Sequence, residues 1–161
     1  MIRIGKTIEK DIPELTKTCI RAFHADLLYM PSGSKLQGPP GYDNEEWNLE
    51  QAEKTIYYKI LFNEKIVGGI ILFDMSKWCK ECSFNIGRIW VDTIYQNQGI
   101  GQEAVKLMFE KHSAVHKWTL STPSWAVRNH HFYERVGFKK VLETELSSEL
   151  GWSSYEFELV R

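Results

Sequence analysis

Apolar positions along the 161-residue chain alternate or recur with periods that divide it into short elements of both kinds. Alternation over 2–8 predicts a first strand. From Asp11 the pattern changes to a helical one, with Ile12, Leu15, Cys19, Phe23 and Leu27 on a single stripe and Asp11 and Pro13 suiting a helix start. The segment from Met30 to Gly41 holds the densest Gly/Pro content of the chain and predicts its longest loop, and loops of that length are often functional. A short helix over Asp43–Glu53 follows, then strands at 55–62 and 65–74 joined by a tight Asn63-Glu64 turn, and a strand at 83–92. Beyond it the order is helix, strand (117–121), helix (126–136), strand (138–144) and strand (152–160). No internal repeat or low-complexity segment interrupts this order.

The junction after the 83–92 strand is the most specific feature. Ile89-Trp90-Val91 leads into Gln96-Asn97-Gln98-Gly99-Ile100-Gly101, which opens a helix with Ile100, Ala104, Leu107 and Met108 on its apolar face. Glycines there let backbone N–H groups converge, and the start of the helix adds unpaired donors and the positive end of its dipole, so the junction suits a phosphate or pyrophosphate. A tight strand-to-helix turn without any ligand explains the same residues. The dinucleotide fingerprint is matched locally by Gly99-Ile100-Gly101-Gln102-Glu103-Ala104 but lacks its acid about 20 positions on, because Thr119-Leu120-Ser121 ends the next strand. The nucleoside-triphosphate loop fails for want of a Gly-Lys-Ser/Thr.

Gln96-x-x-Gly99-x-Gly101 resembles the Q/R-x-x-G-x-G/A loop with which the GNAT superfamily of N-acetyltransferases holds the pyrophosphate of coenzyme A. Phe132-Tyr133-Glu134-Arg135-Val136-Gly137-Phe138 is similar to that superfamily's second signature, F/L-Y-x-x-x-G-F, and follows in the expected order. The resemblance covers nearly the whole chain. It implies an α/β fold of the acyl-CoA N-acyltransferase type, a twisted mixed sheet of about seven strands with helices on both faces, and acetyl-CoA as acyl donor. It further implies cofactor contacts from the backbone near Trp90 and Val91, from Gln96, Asn97, Gln98, Gly99, Ile100 and Gly101, and from Asn129 and Tyr133. Tyr133 corresponds to the tyrosine that the superfamily often places near the thioester sulfur, and a phenol of pKa about 10 can protonate a departing thiolate; a core tyrosine anchoring its helix is the other reading.

Two positions depart from the superfamily pattern. Asn85 stands where histone-type members carry a glutamate general base, and an amide cannot accept a proton at neutral pH. The base is then sought among His24, Glu81, Asp92, His130 and His131, or a water relayed by one of them. His24 is preferred because it lies near the predicted loop and imidazole titrates at about 6.5. Ala126 replaces an asparagine found in many members, for which Asn129 is a partial substitute. Arg128 and Lys139 are further phosphate partners or simply solvated surface.

Length and charge bound the rest. A chain of 161 residues predicts one domain over 1–161 with a single core. A net charge of −1 and the lack of a basic block argue against nucleic acid as the main partner. No apolar run approaches the roughly 20 residues that span a bilayer, and the amino-terminal residues lack the apolar core of a signal peptide, which predicts a cytoplasmic protein without membrane contact, as monomer or homodimer. Cys79-x-x-Cys82 and His112-x-x-x-His116 have zinc-like spacings, but the interval between them is too long for a finger, and free thiols without metal are expected.

Between His24 and Glu50 the acids Asp26, Asp43, Glu45, Glu46 and Glu50 face Lys35 alone, with Tyr29, Tyr42 and Trp47 interleaved. Carboxylates beside aromatic faces favour an ammonium group, so a cationic amine acceptor contacting Tyr29, Tyr42 and Trp47 is expected; an acidic helix face turned to solvent is the simpler account. A non-catalytic acyl-CoA-binding module and, more distantly, a nucleotide-binding regulatory domain are the competing functional classes.

Overall fold

The computed structural model describes residues 1–32, 38–78 and 81–161. Its described strands are β1 (Ile2–Lys6), β2 (Ile56–Phe62), β3 (Lys65–Asp74), β4 (Ser83–Val91), β5 (Lys117–Pro123), β6 (Lys139–Glu143) and β7 (Ser154–Val160), in the sheet order β1-β2-β3-β4-β5-β7-β6. All neighbours pair antiparallel except β4 and β5, which are parallel. The helices are α1 (Ile12–Leu27), α2 (Glu45–Lys54), α3 (Ile100–Lys111) and α4 (Val127–Arg135). Among the described residues no helix is long and apolar enough to cross a membrane.

Strand alternation sends successive side chains to opposite faces, and so builds two cores. On one face Ile70, Leu72, Phe84 and Ile86 pack against Ile100, Ala104, Val105 and Met108 of α3, with Trp118, Phe138 and Phe157 beside them. On the other face Tyr57, Ile71 and Trp90 meet Leu15, Cys19 and Ala22 of α1, flanked by Trp47 and Ala52 of α2. The expected stripe on α3 is displaced: Leu107 is half-buried, while Val105 and Phe109, one position after Ala104 and Met108, are buried. The Asn63-Glu64 turn has both residues at positive φ (49° and 67°), as a tight hairpin between twisted strands requires.

β4 sets up the site. Ile71 of β3 pairs with Arg88 but Leu72 pairs with Ile86, so Gly87 is an extra residue in β4. Such a bulge bends and twists its strand. Pairing with β5 is confined to Ser83–Asn85, whereas on its other side β5 pairs with β7 along its whole length. The open end of β4 is fixed to α1 by Asp92, 2% exposed, which accepts from Arg21 Nε (3.1 Å to each oxygen) and Nη2 (2.7 Å). Thr93 Oγ1 adds a bond to the Arg21 carbonyl at 3.0 Å.

Removing the guanidinium leaves a buried carboxylate without its counter-charge. Arg21→Ala should lower stability by about 1–3 kcal/mol, which for a chain of this size is roughly 2–4 °C in Tm per kcal/mol. Adding Asp92→Asn should restore part of that loss in denaturant titrations, because the charge that needed the arginine is gone.

Candidate functional site

Between the separating ends of β4 and β5 lies a cleft of about 870 Å³. Ile86–Val91 form one wall, Ser121–Pro123 with Asn129, Phe132 and Tyr133 the other, and the α1 residues Ala22, Phe23, Asp26 and Leu27 a third side. The β4 edge facing the cleft has no strand partner beyond Asn85.

The glycine loop closes one end. Gly99 heads α3 with φ 77°, in the left-handed region that glycine enters without strain, and an added Cβ would meet nothing within 4 Å. At Gly101 the constraint is contact: a Cβ would sit 3.1 and 3.3 Å from ring carbons of Phe132 and 3.7 Å from Val91 Cγ2. The first helical bond runs from Glu103 N to the Gly99 carbonyl (3.1 Å), leaving the N–H groups of Ile100, Gly101 and Gln102 without a helical acceptor. Gln96 braces the loop: its Nε2 donates to the Val91 carbonyl (2.8 Å) and its Oε1 accepts from Arg128 (3.0 Å). Trp90, Val91, Gln96, Asn97, Gly99, Ile100, Gly101, Asn129 and Tyr133 all border the cleft. Gln98 does not; it is exposed and bonds the Ile94 carbonyl at 3.3 Å. The Trp90 ring is likewise turned away, buried with its indole N–H on Thr18 (2.9 Å), so this residue borders the cleft chiefly as backbone.

Tyr133 projects from α4 among Phe132, Phe138 and Phe157, with ring centroids 5.4, 6.1 and 5.9 Å away. Its hydroxyl has no hydrogen-bond partner among the described residues, and burial, with the charge of Asp26 added, raises its pKa above that of a free phenol. Among the described residues Asp26 is the sole carboxylate bordering the cleft. Burial raises its pKa, against the opposing pull of Arg128. Sequence reasoning counted Asp26 only as one acid of a run, although it lies four residues after buried Ala22 and so shares its face of α1.

The structure does not bring the remaining candidates together. His24 lies on the exposed side of α1, its Nε2 2.8 Å from the Tyr42 hydroxyl, and is not part of the cleft wall that Ala22, Phe23, Asp26 and Leu27 form. Asn85 Nδ2 donates to Thr119 Oγ1 (3.0 Å) at the point where the strands part. Asp92 is engaged by Arg21, and His130 is stacked on Tyr155 with Nε2 2.9 Å from the Pro123 carbonyl. His131 borders the cleft from an exposed position, whereas Glu81 and Lys139 are exposed and stand apart from it.

The expected aromatic acceptor wall needs correction. Tyr29, Tyr42 and Trp47 do not border the cleft. Their faces are occupied by groups of the protein itself: Arg88 stacks over Trp47 (4.4 Å), Arg128 over Tyr29 (5.3 Å), and Tyr42 packs edge-on against Phe23 and His24. Asp43, Glu45, Glu46 and Glu50 are exposed, and Glu50 pairs with Lys54. No cluster of three metal-ligating side chains occurs among the described residues. Cys79 lies outside those residues; Cys82 is half-buried, its carbonyl accepting from the His116 N–H (3.0 Å), and His112 is engaged by the Tyr58 hydroxyl at 2.8 Å.

The chain is similar over its whole length to solved acetyltransferase structures. Against PaiA N-acetyltransferase from Thermoplasma acidophilum in complex with coenzyme A the TM-score is 0.78 at 14% identity, covering 100% of this chain and 99% of that one. An acetyltransferase from Thermus thermophilus gives 0.78 at 13% identity with coverage of 100% and 97%. YncA from Salmonella typhimurium, solved with its cofactor acetyl-CoA, gives 0.70 at 12% identity, covering 99% and 94%. No curated protein sequence matches. The acetyltransferase (GNAT) family model matches residues 22–138. That span runs from the cleft face of α1 through the glycine loop to the end of the Tyr133 signature, and with it the chain belongs to the acetyltransferase (GNAT) family.

Proposed function

We propose that this protein is an acetyl-CoA-dependent N-acetyltransferase of the cytoplasm that transfers an acetyl group to a primary amine by direct attack in a ternary complex. The observation that carries this reading is the continuous path from the unpaired N–H groups of α3, along the unpartnered edge of β4, to the Tyr133 hydroxyl and Asp26. Acetyl-CoA supplies an activated thioester; the chain must hold the two substrates together and move protons. The loop N–H groups and Arg128 take the pyrophosphate. Asp26, rather than His24, takes the proton of the incoming amine directly or through a water, since it is the carboxylate in the cleft. Tyr133, kept protonated by burial, returns a proton to the departing sulfur. The structures solved with coenzyme A and acetyl-CoA support the donor assignment.

Gly101→Val adds an isopropyl group where Phe132 and Val91 already close on the loop. The variant should remain folded by circular dichroism yet show no heat of CoA binding in calorimetry; undiminished affinity would remove the loop from the site. Thiol release from acetyl-CoA over an amine panel tests the activity itself. Saturable CoA binding with no acetylated product would assign the chain to the competing class, an acyl-CoA-binding module.

Tyr133→Phe should lower kcat by about 10² while leaving the KM for acetyl-CoA nearly unchanged. An unaltered kcat returns Tyr133 to the aromatic core.

A carboxylate base works only when ionised, so kcat/KM should rise with pH as Asp26 deprotonates, at a pH above the ordinary carboxylate range because burial raises its pKa. Asp26→Asn should remove that limb of the profile. The stability sign is opposite to that of a paired carboxylate: a raised folded-state pKa favours folding while the group is protonated, and this contribution is lost as pH rises through that pKa. At neutral pH the Asn variant should therefore be at least as stable as the parent by thermal melting, which separates a lost base from a lost fold.

A further inference from the structure

Arg88 is the residue that the reaction described above leaves unused. It sits one position after the extra Gly87 of β4, on the face that Trp90 shares, and is 9% exposed. Phe23 and Trp47 flank its guanidinium at 5.9 and 4.4 Å, and Nη2 donates to the Pro40 carbonyl at 2.8 Å. Among the described residues Nε and Nη1 have no nitrogen or oxygen partner, the Cys19 thiol being the side chain that hydrogen-bonds the guanidinium, and no carboxylate pairs with it. Its polar neighbours do not balance the charge. The Cys19 thiol is held neutral by burial, which pushes its pKa up to about 12, and burial likewise raises the Tyr57 phenol. Arginine stays protonated even when buried. Stacking on two rings offsets part of the desolvation of a guanidinium but supplies no counter-charge.

Arg88 borders the cleft together with Phe23, Pro39 and Pro40, with its unpaired Nε and Nη1 buried behind them. Leu150 and the edge-to-face pair Trp125–Trp152, with ring centroids 5.8 Å apart, add apolar surface to the same cleft. We propose that Arg88 selects the acceptor by binding a carboxylate on it, so that the amine acetylated by this protein carries an acidic group on an apolar body, as an apolar α-amino acid does. The carboxylate supplies the charge that Arg88 lacks and offers two oxygens where the Pro40 carbonyl offers one neutral acceptor. The aromatic residues of the 29–47 segment then serve the reaction indirectly: Trp47 holds the guanidinium rather than a substrate ammonium.

The inference rests on the acetyltransferase reading, and its test separates the two. Wild type, Arg88→Met and Arg88→Lys are assayed by thiol release with phenylalanine, its amide, phenethylamine and spermidine. Wild type should prefer phenylalanine over its amide by about 10²-fold in kcat/KM. Arg88→Met should erase that preference, mainly through KM, with CoA affinity kept, and Arg88→Lys should restore it in part because a point charge replaces a fork. Equal use of acid and amide, or preference for spermidine, overturns the assignment while leaving the acetyltransferase intact. If no amine is acetylated, the function fails and the arginine is judged by thermal shift alone. N-acetylphenylalanine should then raise the Tm of wild type and not that of Arg88→Met, and absence of the difference overturns the carboxylate site. Melting of the unliganded variants adds a readout of role: Arg88→Met should melt at or above the wild-type temperature, since it removes an unbalanced buried charge, and a fall of several degrees would make Arg88 structural.

Discussion

The separation of β4 from β5 is the constraint on which the rest of the molecule depends. Two parallel strands that begin in register would normally continue their ladder, since every buried backbone N–H and C=O needs a partner. Here the extra residue at Gly87 turns β4 away just beyond the Asn85–Thr119 hydrogen bond. The cost is a run of backbone edge with no strand beside it. The gain is a slot whose walls are two rigid elements, ending on the donors of a helix N-terminus. A site built from strand edges and a helix start is held more firmly than one built on loops alone.

α1 then closes a further side of the slot. Arg21 fixes the helix against Asp92, the residue immediately after β4, and Trp90 fixes it again through Thr18. With the helix located, Ala22, Phe23, Asp26 and Leu27 must face the opening, because their spacing places them along one side. Arg128 ties this side to the glycine loop, since it lies over Tyr29 and bonds Gln96. The buried network of Asn48, whose amide donates to the Asn44 carbonyl (3.0 Å) and accepts from Tyr57 (2.8 Å), holds the start of α2 and with it Trp47 beneath Arg88.

Periodicity made the architecture legible. The seven strands and the four α-helices of the described residues follow from alternation and helical spacing to within a few residues, and the loop motif coincides with the glycine turn that opens α3. The acceptor side was much less legible, for a physical reason: composition reports which groups a segment contains but not where they point. Tyr29 and Trp47 looked like a cage for a substrate ammonium because nothing in their own segment shows that Arg128 and Arg88 come from distant strands and helices to stack on them. Asp26 was hidden among acids that turn out to face solvent. Arg88 carried a faint signal, as the one charged residue in the run from Phe84 to Val91, but the bulge that sets its direction has no unique mark in the sequence.

Burial acts on both proposed proton-transfer groups in the same direction, and this bears on how the site is switched on. Desolvation raises the pKa of Asp26 and of Tyr133 alike, because in each case the charged form is the anion. For the phenol the shift preserves the acid needed at the end of the reaction. For the carboxylate it strengthens the base but reduces the fraction ionised. The cation that bears on Asp26 is Arg128, which also faces the loop where pyrophosphate is proposed to bind. An anion there would draw on the same arginine, weaken its hold on the carboxylate and raise the basicity of Asp26 further. Donor binding and the protonation of Asp26 would thereby be coupled through one guanidinium, a stronger base being gained at the cost of a smaller ionised fraction.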